Sequence, residues 1–221
     1  MKAFLQALLV TLLAGAALGA GQAAAPAGRT VKGTFVSEQR LRTKGDTSER
    51  EVVVYLREKV PGKHAAPATP VQVKQDRLMC PPHVLAVQVG SQVEFDNADS
   101  VVHNVFSGDA CCAVDLDMPA TSKKTIRLEK PGVAAVICRL HPDMSMFLVT
   151  LENPYFTTVA LEKLEAADGT ATYRADYEIK GVPPGDYVLT FWNKKLEPVE
   201  HELHVPADAD ARFDVLVAAK P

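Results

Sequence analysis

The chain has 221 residues, of which 47% are hydrophobic and 23% charged, which is ordinary for a globular protein and unlike a disordered chain. That length allows one large domain or two small ones. The formal net charge of -3 at pH 7 leaves no excess of positive charge for a phosphate backbone, so nucleic acid is not expected as a partner.

The first 24 residues have the pattern of a secretory signal peptide. Lys2 provides a positively charged start, an apolar run follows from Phe4 to Leu18, and small residues between Ala14 and Ala25 offer cleavage sites. The apolar run is too short for a comfortable membrane span, so we expect no membrane span in the mature protein. The pattern predicts a periplasmic or secreted protein.

Two segments after the signal peptide predict β-strands. Residues 30–36 alternate roughly between apolar and polar side chains, and residues 51–56 form a β-branched run. The charged stretch 40–50 between them is interpreted as a solvated loop. Residues 57–70 are rich in proline and predict a linker, in which His64 is expected to be exposed to solvent.

The middle of the chain predicts short strands separated by turn residues, with a loop over residues 107–123. No segment shows a sustained helical period, so the pattern indicates an all-β sandwich or barrel. The predicted strands are residues 71–73, 84–89, 92–95, 101–106, 125–128, 133–137 and 147–151.

Two separated motifs in this region carry side chains that bind metal ions. His103 lies on one predicted strand, while Cys138, His141 and Met144 share the loop that follows another. A thiolate, two imidazoles and a thioether are the ligand set of a mononuclear blue-copper electron-transfer site. Because His103 comes from a separate hairpin, we expect the site to depend on the folded sandwich.

At these residues the sequence resembles the cupredoxins. Residues 89–99, followed by His103-Asn104-Val105, are similar to the first-histidine region of plastocyanin, pseudoazurin and amicyanin. The Cys-x-x-His-Pro-x-Met loop that begins at Cys138 is closest to that of amicyanin. The resemblance covers roughly residues 66–152 and implies a Greek-key cupredoxin sandwich with one copper ion per chain.

The resemblance also implies a role for each ligand. His103, Cys138 and His141 would be the strong ligands, and Met144 the weak axial one. Met146 is the alternative axial ligand, because it gives the longer spacing found in plastocyanin and pseudoazurin.

Two further expectations come from the same resemblance. Asn104, the residue after the first histidine, would tie the two ligand loops together and so orient the ligands; simple turn chemistry is the alternative. His141 would reach the surface inside an apolar patch that suits weak encounters with redox partners. Pro142, Met146 and Phe147 could supply that patch, although Met146 and Phe147 could equally belong to the core.

If Cys138 binds copper, an odd number of cysteines remains. In an exported protein four cysteines would normally form two disulfides, but copper at Cys138 would leave Cys80, Cys111 and Cys112. One bridge from Cys80 to either of the other two is a plausible pairing, and it would leave one thiol free.

The last part of the chain predicts a second β-sandwich. The Gly-Val-Pro-Pro-Gly-x-Tyr-x-Leu segment that begins at Gly181 resembles the carboxypeptidase-regulatory, or transthyretin-like, modules, which implies such a sandwich over residues 153–218. That region is short for seven strands. Its predicted strands are residues 156–164, 171–179, 186–192, 201–205 and 212–217.

Because residues 153–218 are too few for a sandwich of seven strands, further strands of this module are expected elsewhere in the chain. Residues 29–60 contain two strands that resemble the opening strands of the same module, so we predict that the copper domain is inserted into it. Insertions are tolerated because the termini of a domain often lie close together. The alternative is a cupredoxin with an N-terminal extension and a C-terminal appendage.

These features predict a monomer that carries single electrons between redox proteins in weak, transient complexes. We expect no enzyme activity, because the 6 histidines cannot supply a trinuclear copper cluster as well as this site. One alternative is sequestration or delivery of Cu(I), suggested by the thiols of Cys111 and Cys112. Another is a β-sandwich binding module in which the copper is structural.

Overall fold

The computed structural model describes residues 28–39, 50–57 and 60–219. The predicted signal peptide, residues 1–24, and most of the predicted charged loop lie outside these ranges. The described chain is nearly all β, which confirms the predicted class. Its strands are β1 (Arg29–Ser37), β2 (Glu51–Arg57), β3 (Val71–Gln75), β4 (Val84–Gln88), β5 (Gln92–Asn97), β6 (His103–Ser107), β7 (Val114–Met118), β8 (Lys123–Arg127), β9 (Gly132–Ile137), β10 (Ser145–Leu151), β11 (Phe156–Ala160), β12 (Glu162–Glu165), β13 (Ala171–Val182), β14 (Gly185–Asn193), β15 (Leu196–Val205), β16 (Ala211–Arg212) and β17 (Val215–Val217).

Residues 71–151 form one sandwich, which we call the central sandwich. One sheet has the strand order β4-β10-β9-β6-β7, and the other has the order β3-β5-β8. Alternate residues of both sheets point inward and bury an apolar core that includes Val93, Phe95, Val105, Val136 and Leu148. The strand pattern of the sequence therefore folds as a two-layer structure around a single core.

The remaining strands form a second sandwich, which we call the split sandwich because its strands come from both ends of the chain. Strand β1 pairs with β13, β16 and β17, and strand β2 lies between β11 and β14. The β-branched residues Val52 and Val54 of β2 point into its core, where Phe35 of β1 stacks on Phe191 of β14. The N-terminal strands thus pair with strands that follow residue 153.

The two sandwiches pack against each other through β10 and β2. In β10, Met146 and Leu148 face the central core, while Phe147 and Val149 point the opposite way, toward Trp192 of the split sandwich. Side chains that lie alternately on the two faces of β10 therefore build both the core and the contact between the sandwiches. The carboxylate of Glu51 adds a polar contact, because it accepts a hydrogen bond from the backbone N–H of Val84 at 2.9 Å.

Several features differ from the sequence prediction. Residues 114–118 form β7 rather than part of a loop, and residues 156–164 divide into β11 and β12, which belong to different sheets. The division occurs at Leu161, whose side chain is buried in the split core. His64 is partly buried rather than exposed, because its ring packs against that of Tyr155. No helix of the described residues is long and apolar enough to cross a membrane.

Candidate metal centre

Two neighbouring strands of the central sandwich bring the predicted strong ligands together. His103 is the first residue of β6, and Cys138 directly follows the last residue of β9. These strands are adjacent in the same sheet, with Phe106 opposite Ile137. The loop after Cys138 turns back into β10 and carries His141 toward the same point.

The three side chains form a compact cluster of possible ligand atoms. Nδ1 of His103 lies 3.1 Å from Nδ1 of His141, and Sγ of Cys138 lies 3.5 Å from the same His141 nitrogen. The ligand atoms of all three residues lie within 4.8 Å of one another, and His103 and Cys138 are buried. No second group of this kind occurs in the part of the chain that the structure describes.

These separations fit a single metal ion. Metal bonds of about 2.0–2.1 Å to nitrogen and about 2.3 Å to sulfur, at angles of roughly 100–110°, put the ligand atoms about 3.1–3.5 Å apart. A buried group of one thiol and two imidazoles is also a soft and borderline donor set, which suits copper. The residues present therefore fit the copper ion that the sequence predicts.

Backbone hydrogen bonds hold the ligand loop closed. The N–H of Cys138 donates to the carbonyl of Met144 at 3.0 Å, and the N–H of Met144 donates to the carbonyl of His141 at 3.0 Å. The N–H of Asn104, from the neighbouring strand, lies 3.4 Å from Sγ of Cys138. This contact fixes the sulfur of Cys138 relative to the strand that carries His103.

The two candidate axial ligands have different surroundings. Met144 and Met146 are both 1% exposed. Met146 lies on β10 opposite Val136 and packs into the core of the central sandwich. Met144 lies in the ligand loop and belongs to none of the apolar core clusters of the described residues. Met144 is thus not committed to an apolar core, and the choice between Met144 and Met146 as axial ligand stays a prediction.

The carboxylate of Asp99 contacts Nε2 of His103, the ring nitrogen that is not directed at His141, and the sequence analysis missed this role. Its Oδ2 lies 2.8 Å from Nε2 of His103, so the ring can donate from Nε2 and keep the Nδ1 lone pair for a metal. The carboxylate also accepts the backbone N–H groups of Arg77 and Leu78. Burial opposes ionisation of Asp99, but the hydrogen bonds from Leu78, His103 and Arg77 hold its pKa below the usual range.

Those two N–H groups belong to a tight turn in a strained conformation. Arg77 and Leu78 have φ values of 54° and 58°, a region that residues other than glycine rarely adopt. Holding both there costs on the order of 1–3 kcal/mol each. The two hydrogen bonds to Asp99 offset part of that cost, so one carboxylate fixes both His103 and the turn beside it.

Asn104 connects the two ligand-bearing segments indirectly. Its Nδ2 donates to Oδ1 of Asp115 on β7 at 3.0 Å, and the guanidinium of Arg139, next to Cys138, contacts Oδ2 of the same carboxylate at 2.8 Å. The guanidinium also lies over the ring of Phe106, 3.7 Å from its centroid. Asp115 is thus a second carboxylate that the sequence analysis missed, because β7 was predicted to be a loop.

Of the three residues predicted to supply an apolar patch, Pro142 is exposed, whereas Met146 and Phe147 are placed in the interior. Met146 is buried in the central core, and Phe147 packs between the two sandwiches, so the alternative that both are core residues is correct. The exposed large apolar side chains near the ligands belong to the segments that carry or support His103 and His141. They are Leu78, Met79, Val101, Val102 and Leu140, and we call them the apolar rim.

The disulfide considered for Cys80 does not form. All four cysteines are free thiols. Sγ of Cys80 lies 3.8 Å from Nε2 of Gln75, at the end of β3. Gln75 pairs with Asn97, whose side chain donates to the carbonyl of Met118, the strand partner of His103. Cys80 therefore lies at the metal end of the sandwich.

Cys111 and Cys112 lie at the other end. A Cβ built on Gly132, the first residue of β9, would be 2.8 Å from Cβ of Cys111, whereas Cys138 follows the last residue of the same strand. A strand of six residues at about 3.3 Å per residue separates these positions by roughly 20 Å. A disulfide needs Cα atoms less than about 7 Å apart, so Cys80 cannot reach either thiol. Burial raises the pKa of Cys80 and of Cys112 to about 11.

Of the four remaining histidines, His201 packs against the ring of Phe213, and the other three make polar contacts away from the ligand cluster. Nε2 of His64 lies 3.2 Å from the carbonyl of Val60, and Nδ1 of His204 lies 2.6 Å from Oδ1 of Asp186 on the split sandwich. His83, at the foot of β4, contacts the carbonyl of Ser145 through Nδ1 at 3.2 Å. These histidines lie apart from one another, consistent with a single ligand cluster in the described chain.

No protein-family model and no curated protein matches the chain. Part of the chain is similar to solved structures. A copper-containing nitrite reductase from Thermus scotoductus is 25% identical over 42% of this chain and 25% of its own, with a TM-score of 0.36, so the chain spans a quarter of that enzyme's length. A purple cupredoxin from Nitrosopumilus maritimus is 22% identical over 36% of this chain and 98% of its own, with a TM-score of 0.32. Amicyanin from Paracoccus versutus is 19% identical over 38% of this chain and 83% of its own, with a TM-score of 0.35. The transthyretin-like assignment of the split sandwich stays a prediction.

Proposed function

We propose that this protein binds one copper ion through His103, Cys138 and His141, with Met144 as a weak axial ligand, and carries single electrons between redox proteins. The observation that carries the proposal is the cluster of two Nδ1 atoms and one Sγ at separations of 3.1 and 3.5 Å. Copper bound there would supply a one-electron couple between Cu(II) and Cu(I). The signal pattern of residues 1–24 supports a periplasmic or secreted location.

The protein's own residues would keep the ligand positions constant. Asp99 fixes the orientation of His103, Asn104 directs an N–H at Sγ of Cys138, and backbone hydrogen bonds close the loop. Ligands whose side chains are held by surrounding hydrogen bonds rearrange little when the charge of the bound ion changes. A small rearrangement favours rapid transfer of electrons.

The arrangement favours a carrier over an enzyme. An oxidase or reductase built on this kind of site would need a second metal group that binds substrate, and the described residues hold a single His and Cys cluster. Burial of His103 and Cys138 also leaves little room for a substrate beside the ion. His141 is only partly buried, so it offers electrons the shortest route to a partner.

The apolar rim gives redox partners a place to dock. Its five side chains are exposed by 44–57% and lie on the loops around the ligands. An exposed apolar surface of this kind suits complexes that form and dissociate rapidly. We propose weak, transient complexes at this rim, with the protein itself a monomer.

Titration of the metal-free protein with Cu(II) tests the proposal. We expect an intense visible band from charge transfer between the Cys138 thiolate and Cu(II), which saturates at one copper per chain. Zn(II) should compete for the site without producing the band. A colourless mixture at stoichiometric Cu(II), from protein shown to be folded, would contradict the proposed centre.

One observation favours a second candidate function, the sequestration or delivery of Cu(I). Cys80, Cys111 and Cys112 are all free thiols, and thiols are soft ligands that Cu(I) prefers. This function predicts more than one Cu(I) per chain and a lower stoichiometry in the Cys111→Ser/Cys112→Ser variant. The carrier predicts one copper per chain in both proteins.

A further inference from the structure

A polar contact between the two sandwiches lies directly beside the ligand loop. Nζ of Lys194, in the turn between β14 and β15 of the split sandwich, lies 2.8 Å from Nε2 of His83. Nδ1 of His83 lies 3.2 Å from the carbonyl oxygen of Ser145. Ser145 is the residue after Met144. Two successive contacts therefore connect the split sandwich to the segment that carries the proposed axial ligand.

The chemistry of lysine determines the direction of these hydrogen bonds. A lysine ammonium group donates and cannot accept, so Nε2 of His83 must provide a lone pair. The ring proton is then on Nδ1, where it donates to the Ser145 carbonyl. The contact with Lys194 therefore selects the neutral tautomer of His83 that binds the ligand segment, and successive bonds of this kind strengthen one another.

His83 holds this segment at two points. Besides the contact of its ring with Ser145, its backbone carbonyl accepts a hydrogen bond from the N–H of Phe147 at 2.7 Å. The ring also packs edge-on against that of Phe147, with centroids 5.7 Å apart. His83 thus fixes the first residues of strand β10. They directly follow the loop that is closed by the hydrogen bond between Cys138 and Met144.

The turn that carries Lys194 is itself firmly placed. Nδ2 of Asn193 donates to the carbonyl of Glu51 at 2.8 Å, and Oδ1 of Asn193 accepts the N–H of Lys195 at 2.8 Å. Trp192 packs on Phe147, with ring centroids 5.7 Å apart. The split sandwich therefore presents Lys194 from a rigid base rather than from a free surface loop.

We propose that Lys194 and His83 are positioning residues through which the split sandwich fixes the axial thioether of the metal site. The inference rests on the proposed function, because it concerns the residues that would hold the copper. The axial ligand tunes the reduction potential of such sites, and a thioether held farther away stabilises Cu(II) less. The split sandwich would thus set the potential of an ion bound in the other sandwich.

The test uses the full-length copper-loaded protein, five single variants and one double variant. Lys194→Met removes the donor but keeps the length of the side chain, and Lys194→Arg restores a donor. Lys195→Met is the matched control, because this neighbouring lysine is exposed on the same turn. His83→Asn keeps a donor near the position of Nδ1, so its effect should be smaller than that of His83→Gln.

In a redox buffer poised at the wild-type midpoint, Lys194→Met should lower the ratio of oxidised to reduced protein about threefold. For one electron this equals a rise in potential of about 28 mV at 59 mV per tenfold change. Lys194→Arg and Lys195→Met should stay close to the wild type. Adding Lys194→Met to His83→Gln should produce no further shift. If the wild type shows the visible band and Lys194→Met has the same reduction potential as the wild type, the positioning role is refuted.

A second readout does not need copper. In the metal-free protein, amide hydrogen exchange at Cys138 and Phe147 should be about tenfold faster in Lys194→Met than in Lys195→Met. Equal exchange would refute the positioning role whether or not copper binds. Faster exchange in a protein that never develops the visible band would support the positioning role and refute the proposed copper centre.

Discussion

Replacing Phe35 by alanine should destabilise the split sandwich by about 3–5 kcal/mol, the usual cost of removing a fully buried phenylalanine side chain. Phe35 lies on β1, close to the N-terminus of the described chain, and is 1% exposed. Its ring stacks on that of Phe191 of β14 at a centroid distance of 5.2 Å. Loss of this aromatic pair, worth about 0.5–1.5 kcal/mol beyond the buried area, puts the expected effect in the upper part of the range.

Urea unfolding followed by tryptophan fluorescence measures this effect. The chain has 1 tryptophan, Trp192, and it lies on β14. With a urea dependence of about 2 kcal/mol per molar, a loss of 4 kcal/mol lowers the midpoint by about 2 M. Leu216→Ala is the control: this leucine is 63% exposed on β17, and its replacement should change stability by about 0.5 kcal/mol or less. A Trp192 transition that stays unchanged in Phe35→Ala would mean that β1 is not part of the split sandwich.

Other changes test the site and the thiols. Cys138→Ser should abolish the visible band of the copper-loaded protein, and a mutant with the wild-type spectrum would remove this thiol from the site. Mass spectrometry of the metal-free, non-reduced protein after alkylation under denaturing conditions should count four alkylated thiols; a species with only two alkyl groups would reveal a disulfide. Asp99→Ala should destabilise the metal-free protein by about 1–3 kcal/mol in urea, because the buried ring of His103 and the adjacent turn lose their acceptor; an unchanged midpoint would contradict this role. Stability should fall as the pH rises from 9 toward 11, because burial raises the pKa of Cys80 and Cys112 to about 11 in the folded protein while unfolded thiols ionise near 9.0; Cys112→Ala should lessen this fall.

The cluster of His103, Cys138 and His141 was predictable from the sequence because its residues lie in two short motifs. Cys138 and His141 are three residues apart on one loop, and His103 belongs to a motif of its own. Asp99 and Asp115 were not predictable in the same way. An aspartate is common in loops, and its contact with His103 or Asn104 exists only after strands distant in sequence have paired.

The positions of the cysteines relative to one another were also not predictable from the sequence. Cys80 and Cys111 each lie near a strand that builds the site, which made a bridge plausible. Which end of a strand a neighbouring loop occupies depends on strand direction within the sheet, and here the two thiols lie at opposite ends of the central sandwich. Strand β7, at the edge of its sheet, has the apolar–polar alternation of a half-buried strand, with Val114, Leu116 and Met118 between Asp115 and Asp117, and the sequence analysis overlooked this pattern.

The side-by-side connections between the sandwiches have a consequence for the order of folding. The N–H of Leu56 donates to the carbonyl of Tyr155, and the side chain of Asn153 donates to the carbonyl of Leu56, so the chain leaves the split sandwich and returns to it at one place. Before the central sandwich folds, β2 and β11 are joined by a loose loop of about 100 residues. Once it has folded, they are joined by what behaves like a connection of roughly ten residues, which lowers the entropy cost of closure by about 2 kcal/mol. Whatever stabilises the central sandwich, a bound metal ion included, therefore also makes it easier for the two ends of the chain to find each other.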